Sequence, residues 1–200
     1  MTNSRHAESI RASIVAVELA EPELLRALGR GDPNAFDQVY ERLRAPLHSF
    51  LVRLSTDREL AEDLLQETWL RLARHAASLP HDTNLRAWLF TVARNLYRSH
   101  RRWSLLDADR LRDWGFMQSE SRESPFEALA ASAEQRAVER ALASLPAPER
   151  EVLLLCAWSG FEPAEAAVII GIRADAVRQR LSRARAKLRE RLRHMELSFA

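Results

Sequence analysis

The chain has 200 residues, of which 46% are hydrophobic and 29% charged, and its formal net charge is +2. This length accommodates one or two domains, each with its own core. The mean hydropathy is −0.32, and no apolar run approaches the roughly 18 residues of a membrane-spanning helix, so we expect no membrane insertion.

Composition favours an all-α chain. Alanine, leucine, arginine and glutamate dominate, and only five glycines occur, a usage typical of helices. Acids interrupt the modest apolar segment near the N-terminus, so we expect no secretory signal. The single cysteine, Cys156, lies in the apolar run EVLLLCAW, which predicts a buried thiol. One cysteine cannot form an internal disulfide, which favours a cytoplasmic location.

Residues 1–31 are expected to form a partly helical extension. Asp32 and Pro33 then predict the N-cap and the first turn of a helix, because a carboxylate accepts from free backbone N–H groups and proline is tolerated there. Apolar residues follow at helical spacing, and we expect them to face the core: Phe36, Val39, Tyr40, Leu43, Leu47, Phe50, Leu51 and Leu54.

A second helix is predicted to begin at a capping box formed by Thr56-Asp57-Arg58-Glu59 and to end near Ala77. Its core side is predicted to comprise Ala61, Leu64, Leu65, Thr68 and Leu72. Steps of three and four residues group the polar side chains outward. We name this group the acidic face: Glu59, Glu62, Asp63, Gln66 and Glu67. Such a face either suits a basic protein partner or is an ordinary solvated surface.

A loop at residues 80–84 is followed by a third predicted helix over residues 85–102. That helix carries five arginines and no acid, so its surface is a candidate for binding phosphate. Trp88 fits the core better than base stacking, whereas Phe90 and Tyr97 fit either role. Small polar loop residues suit hydrogen bonding to an extruded base, although one of them, Asn84, equally suits a helix cap.

Residues 104–131 mix charge, serine, glycine and proline without a steady period, which predicts an interdomain linker. Helical patterns resume after it, with a break at Leu145–Pro148. We therefore predict two small helical domains joined by a flexible linker. In chain order the predicted parts are an extension at 1–31, an N-terminal helical bundle at 32–103, a linker at 104–131, a four-helix C-terminal domain at 132–194 and a tail at 195–200.

Residues 160–193 indicate two short helices joined by a tight turn. Gly171 supplies the positive φ that the turn needs. In the second helix an apolar stripe is predicted to pack: Val177, Leu181, Ala184, Leu188 and Leu192. Residues 173–193 contain nine basic and two acidic side chains. This pattern is typical of a helix-turn-helix whose second helix enters the major groove; a solvated or coiled-coil arm is the alternative.

No pattern of catalytic or metal-binding residues occurs in the chain. The six histidines are scattered, with no pair at i, i+4, and no Gly-rich phosphate loop is present. We therefore expect a protein that is not an enzyme and that needs no metal or cofactor.

Three motifs occur in order along the chain: AEDLLQETWLRL at 61–72, LRAWLFTVARN with a following HRR at 85–102, and LPAPEREVLLL with the helix-turn-helix at 145–189. Together they resemble bacterial RNA polymerase sigma factors of the extracytoplasmic-function (ECF) group. The resemblance covers about residues 32–102 and 132–193.

The resemblance implies that residues 32–103 are sigma region 2 and residues 132–194 sigma region 4. It implies that the acidic face binds the coiled coil of the largest polymerase subunit, and that the flap of the second subunit is also a contact. Promoter DNA is the other implied partner, and an anti-sigma factor the implied regulator.

The resemblance also assigns DNA-binding residues. The −10 set would recognise and help melt the −10 promoter element: Asp82, Thr83, Asn84, Arg86, Arg94, Asn95, Arg98, Arg101 and Arg102. The −35 set would read the −35 element or hold its phosphates: Arg173, Ala174, Asp175, Arg178, Gln179, Arg180, Ser182, Arg183 and Arg185.

Several positions depart from the family pattern. Arg173, Asp175 and Ala176 replace the proline, glycine and threonine common at the entry to the second helix, and Ser99 replaces a common aspartate. Two other functions fit the residues. One is a helix-turn-helix regulator that acts without being a polymerase subunit, and the other is an interaction adaptor with no nucleic-acid role.

Overall fold

A computed structural model of the chain describes residues 21–112 and 133–197. Across these two ranges every regular element is helical, as predicted, and none of the helices is long and apolar enough to cross a membrane. The structure does not describe residues 1–20, 113–132 and 198–200, which belong to the predicted extension, linker and tail.

Within residues 21–112 the structure has four α-helices: α1 (Glu21–Gly29), α2 (Pro33–Ser55), α3 (Arg58–His75) and α4 (Leu85–Arg112). A 3-10 turn at Ala76–Ser78 follows α3. The long helices α2, α3 and α4 pack on one another and carry the first part of the core.

The C-terminal half is built from shorter elements, with one long final helix. In order they are α5 (Ala133–Ala143), α6 (Ala147–Leu153), a π-helical turn (Leu154–Trp158), α7 (Pro163–Ile170) and α8 (Ala174–Leu197). The last helix packs across α5, α6 and α7, which fixes its buried face and leaves the rest of its surface exposed.

The predicted N-cap of α2 is confirmed, and that of α3 is displaced by one residue. The backbone N–H of Asn34 donates to Asp32 Oδ1 at 2.9 Å. At α3 the cap is Asp57, whose Oδ1 accepts from the backbone N–H of Leu60 at 3.1 Å. Thr56 instead ends α2 in the left-handed region at φ 59°, with its N–H still bonded to the carbonyl of Val52. The prediction of Thr56 as the capping residue was therefore wrong.

Two helix boundaries differ from the predicted ones. Helix α1 falls within the expected extension, yet its residues Leu24, Leu25 and Leu28 are buried, so it packs with the N-terminal half. Helix α4 continues to Arg112, into the stretch predicted to be linker. It continues because no glycine or proline, the usual helix breakers, occurs between Leu85 and Gly115.

The two halves share a single contiguous core. The ring centroids of Phe50 and Phe90, within the N-terminal half, are 5.1 Å apart. Those of Phe90 and Phe161, across the two halves, are 4.9 Å apart with an edge-to-face geometry. Phe90 and Tyr97, whose roles the sequence left open, are both buried, whereas Trp88 packs partly buried against the core.

Candidate nucleic-acid and protein interfaces

The acidic face lies along the outer side of α3. Four of its members are exposed: Glu59, Glu62, Asp63 and Gln66. Glu67 is half-buried, and its Oε1 lies 3.0 Å from Arg71 Nε and 3.9 Å from Arg74 Nη1. Among the residues that the structure describes, neither Asp63 nor Glu59 forms an ion pair, so the exposed charge is concentrated in the first turns of α3.

A groove of about 790 Å³ opens between α2 and α3, beside the acidic face. Aromatic rings form its floor, where the centroids of Tyr40 and Trp69 are 5.0 Å apart. Leu70, which is 42% exposed, lies on its wall together with Glu62 and Gln66. The lining combines this apolar part with charges of both signs, since it includes the acids Glu41 and Glu62 and the bases Arg44 and Arg58. An amphipathic helix fits such a groove.

The loop before α4 is stabilised by its own polar groups. Asn84 Oδ1 accepts from the backbone N–H of Ala87 at 2.8 Å, which confirms the helix-cap interpretation of this side chain. The backbone N–H of Thr83 donates to the carbonyl of Pro80 at 3.0 Å. The side chains of Asp82 and Asn84 remain exposed, and Thr83 is half-buried.

The structure divides the −10 residues of α4 into an exposed group and a covered pair. The exposed group is Asn95, Arg98, Arg101 and Arg102. The covered pair, Arg86 and Arg94, is turned toward the C-terminal half. The free basic surface is therefore shorter than the sequence predicts.

Arg94 lies at the centre of the contact between the halves. Its Nε donates to Glu151 Oε1 at 2.6 Å, and the two side chains are 6% and 11% exposed. Its Nη1 also donates to Asn95 Oδ1 at 3.2 Å. Burial strengthens the attraction, but it also removes the solvation of both charges, so each depends on the other.

Arg86 is held by a second contact between the halves. Its guanidinium lies over the ring of Phe161, with Cζ 4.0 Å from the centroid, and it donates to the carbonyl oxygen of Ser159. The ring stabilises the planar guanidinium by a cation–π interaction with its face, and the carbonyl oxygen accepts a hydrogen bond at its edge. Arg86 thus cannot contact DNA in this arrangement.

The π-helical turn supplies a third contact. Trp158 Nε1 donates to Ser49 Oγ at 3.1 Å, and Arg53 Cζ lies 3.9 Å from the centroid of the Trp158 ring. Arg53 Nη2 also pairs with Glu139 Oε1 at 2.7 Å. Sequence reasoning missed these contacts because neither the EREVLLL motif nor the LLCAW run indicates a partner in the other half.

The helix-turn-helix has the predicted geometry. Gly171 adopts φ 73° and ψ 41°, and its N–H bonds to the carbonyl of Ala167 at 2.9 Å. Helix α7 opens with a capping box, in which the backbone N–H of Glu162 donates to Glu165 Oε2 at 2.8 Å. Pro163 occupies the first turn, where its missing N–H costs nothing.

Helix α8 packs through the predicted stripe and presents the −35 set on its other sides. Val177, Leu181 and Ala184 are buried. Most of the −35 set is exposed: Arg173, Asp175, Arg178, Gln179, Ser182, Arg183 and Arg185. Ala174 and Arg180 are half-buried. The exposed side chains of α8 and of the turn before it thus form a predominantly basic surface.

A tether joins α8 to α6. Lys187 Nζ lies 3.0 Å from Glu149 Oε1. The hydrogen bond from Lys187, with the positive charges of Lys187 and Arg183, lowers the pKa of Glu149 below its ordinary value of 4.5. Helix α8 is thereby held against α6 by an ion pair as well as by packing.

Cys156, predicted to be buried, is half-buried in the π-helical turn, and desolvation raises the pKa of its thiol. Among residues 21–112 and 133–197, no cluster of three or more His, Cys, Asp or Glu side chains is placed to hold a metal ion.

Comparison with known proteins identifies both halves. Residues 39–103 match the family described as Sigma-70 region 2, and residues 135–188 match Sigma-70, region 4. The matched segments contain the acidic face, the exposed −10 arginines and the helix-turn-helix.

Two relatives match this chain over about three quarters or more of their own length. The chain is 38% identical over 145 residues to the ECF RNA polymerase sigma factor EcfG of Rhodopseudomonas palustris, covering 71% of this chain and 76% of that protein. It is 30% identical over 174 residues to the ECF RNA polymerase sigma factor SigM of Mycobacterium tuberculosis, covering 86% of this chain and 84% of that protein.

Two solved structures share the fold. The sigma factor RpoE, solved in complex with the anti-sigma factor NepR from Bartonella quintana, matches with a TM-score of 0.68 and 31% identity over 79% of this chain and 96% of that one. CnrH, solved in complex with the cytosolic domain of CnrY, matches with a TM-score of 0.67 and 26% identity over 88% of this chain and 98% of that one.

Proposed function

The chain belongs to the ECF group of RNA polymerase sigma factors, and we propose how its residues divide polymerase binding and promoter recognition between its halves. As a sigma factor it directs polymerase to promoters. This function excludes the two alternatives, a helix-turn-helix regulator that is not a polymerase subunit and an interaction adaptor with no nucleic-acid role. We assign region 2 to residues 32–103 and region 4 to residues 132–194. The observation that carries the assignment is the pair of exposed basic surfaces on α4 and α8, together with a distinct acidic face on α3.

The −35 element is bound by α8. Its exposed basic side chains stand on a helix whose Val177, Leu181 and Ala184 are buried in the core, and this packing holds the helix in position to enter a major groove. Arg178 and Gln179 are the side chains best placed for base edges. Arg183 and Arg185 hold phosphate, which supplies affinity that does not depend on sequence.

The −10 element is bound by the loop at residues 80–84 and by α4. Arg98, Arg101 and Arg102 are exposed along the helix and meet phosphates. The exposed groups of Asp82 and Asn84 lie at the mouth of the loop, where an unpaired base can present its hydrogen-bonding edge. Arg86 and Arg94 join this surface only when their contacts with the C-terminal half are broken.

The acidic face and the adjoining groove bind core polymerase. Glu62 and Gln66 line the groove beside its apolar floor. A basic helical hairpin of the largest subunit fits this surface, since its apolar side chains fill the groove while its basic side chains meet the exposed acids of α3. The flap of the second subunit contacts the C-terminal half.

Regulation by an anti-sigma factor is extended to this chain from a structural relative, because RpoE was solved in complex with the anti-sigma factor NepR. We place the protein in the cytoplasm, where its polymerase and DNA are found, and assign it no catalytic activity of its own.

A selection experiment tests the division of roles. Core polymerase and the full-length chain are incubated with a pool of duplexes randomised upstream of the start site, and bound fragments are sequenced. Two enriched elements at a fixed separation are expected only when both proteins are present.

An Arg178→Ala, Gln179→Ala variant should alter the upstream element alone. An Arg98→Ala, Arg101→Ala variant should instead lower permanganate reactivity of unpaired thymines. Failure of the wild-type chain to bind core polymerase contradicts the proposal.

A further inference from the structure

One acidic side chain stands inside the basic surface of α8. Between Arg173 and Arg189 every ionisable residue is basic except Asp175, and its side chain is 61% exposed. A carboxylate on a surface that meets phosphate groups opposes binding by charge repulsion. We therefore expect Asp175 to have a function that offsets this repulsion, and its contacts indicate which function.

Both oxygens of Asp175 face arginines. Oδ1 accepts from Nη2 of Arg178, and Oδ2 lies 3.8 Å from Nη2 of Arg173. Arg178 is three residues beyond Asp175, on the same side of α8. Arg173 comes from the turn just before the helix, so one carboxylate joins the turn to the helix surface.

The contact with Arg178 leaves most of that guanidinium free. The group has five N–H donors in a rigid plane, and the carboxylate engages only part of it. The remaining donors have the geometry for guanine, whose O6 and N7 accept two parallel hydrogen bonds in the major groove. A side chain already held in one orientation loses less conformational entropy when it binds a base.

We propose that Asp175 is a positioning residue, which holds Arg178 in place to read a guanine of the upstream promoter element while Arg173 neutralises its other oxygen. The proposal rests on the proposed binding of α8 to that element. It concerns one base pair and its identity, and not the overall affinity of the chain for DNA.

Two other roles for Asp175 are physically reasonable. The residue lies in the first turn of α8, where an acid stabilises the helix through its dipole. It can also accept directly from the amino group of a cytosine. The first role affects stability without base preference, and the second gives a preference at a base pair different from the one that Arg178 reads.

The test uses holoenzyme assembled from core polymerase and the full-length chain. Binding preferences at every upstream position are measured by selection and sequencing for the wild type, Arg178→Ala, Asp175→Asn and Glu190→Gln. Glu190 is another exposed acid on α8, so its variant removes the same charge from the same helix without touching Arg178. The preferred guanine is then replaced by 7-deazaguanine, which lacks the N7 acceptor.

Arg178→Ala should reduce the preference for one guanine by roughly 5- to 150-fold, the range of a bidentate contact. Asp175→Asn should reduce the preference at that same position about three- to tenfold, and Glu190→Gln should leave it unchanged. The 7-deazaguanine substitution should weaken wild-type binding more than binding by Asp175→Asn.

A uniform gain in affinity on Asp175→Asn, with preferences unchanged, overturns the positioning role, as does a changed preference at a different base pair. These outcomes leave the proposed function intact, because all variants still select and transcribe promoters. If the wild-type holoenzyme selects no upstream element, the proposed function itself fails.

Discussion

Arg94 and Glu151, which are 57 positions apart in sequence, join the two halves of the chain through a buried ion pair, with Nε and Oε1 2.6 Å apart. Arg94 is a member of the −10 set. Under the proposed −10 assignment, a DNA phosphate would compete with the carboxylate of Glu151 for the same guanidinium. Because Arg94 is buried in the contact between the halves, a phosphate would reach it only after this contact opens.

We expect Glu151→Gln to loosen the contact between the halves. A neutral amide leaves Arg94 as an uncompensated buried charge, which typically lowers the free energy of unfolding by about 3–5 kcal/mol. Separation of the halves would relieve this cost, because it exposes Arg94 to water. Small-angle scattering should report a larger radius of gyration, and urea unfolding a lower midpoint. Glu139→Gln, at the more exposed pair with Arg53, should change stability by at most about 1 kcal/mol. Equal radii for wild type and Glu151→Gln would contradict the expectation.

Charge reversal on the acidic face should weaken binding to core polymerase. Glu62 is exposed on the rim of the groove, and Glu62→Lys opposes a basic partner, so we expect at least about a tenfold loss of affinity. Glu23→Lys, at an exposed acid on α1, is the matched control and should bind normally. Fluorescence anisotropy of labelled chain measures both. Circular dichroism checks that losing the Arg58–Glu62 pair leaves α3 folded. Equal affinities for both variants would rule out this docking surface.

Gly171→Ala should destabilise the C-terminal half through backbone strain alone. A Cβ at this position has open space around it, but φ 73° costs an L-residue about 1–2 kcal/mol. Gly29→Ala is the control, because its added Cβ meets only ordinary contacts near Ala76 and Ala77. Urea unfolding should show a loss for the first variant and none for the second. A stable Gly171→Ala variant would show that the turn relaxes to a different geometry.

The tether between Glu149 and Lys187 should make stability depend on acid pH. The pKa of Glu149 is lowered in the folded chain below 4.5. The stabilisation of the fold by its ionised carboxylate is therefore complete above pH 4.5 and is lost as the pH falls through the lowered pKa. Glu149→Gln removes the contribution at every pH. The difference in unfolding free energy between wild type and variant should therefore shrink below pH 4.5. A difference that stays constant down to pH 3 would show that the tether does not titrate as described.

Local features were predictable from sequence because their causes lie within a few residues. The N-cap at Asp32 and the turn at Gly171 each follow from one residue type and its nearest neighbours. The stripe beginning at Val177 follows from helical periodicity. Even the error at Thr56 was only one residue, since two adjacent polar side chains competed for the same cap.

Contacts between the halves were not predictable, because they depend on how distant surfaces meet. Arg94 lies in an arginine-rich helix and was predicted to face DNA, and nothing near Glu151 indicates an ion pair across the chain. Sequence reasoning also assumed a flexible linker and hence independent halves. The shared core around Phe90 and Phe161 shows that the described segments pack together.

The π-helical turn at Leu154–Trp158 contains one more residue than an α-helical turn would. That extra residue brings Trp158 to Arg53 and Ser49. Deleting the exposed Ala157 would restore α-helical spacing and rotate the following residue by about 100°, away from both partners. The contact through Trp158 is thus encoded partly as a residue count, and an in-frame loss of one codon would break this contact with every one of its side chains still present.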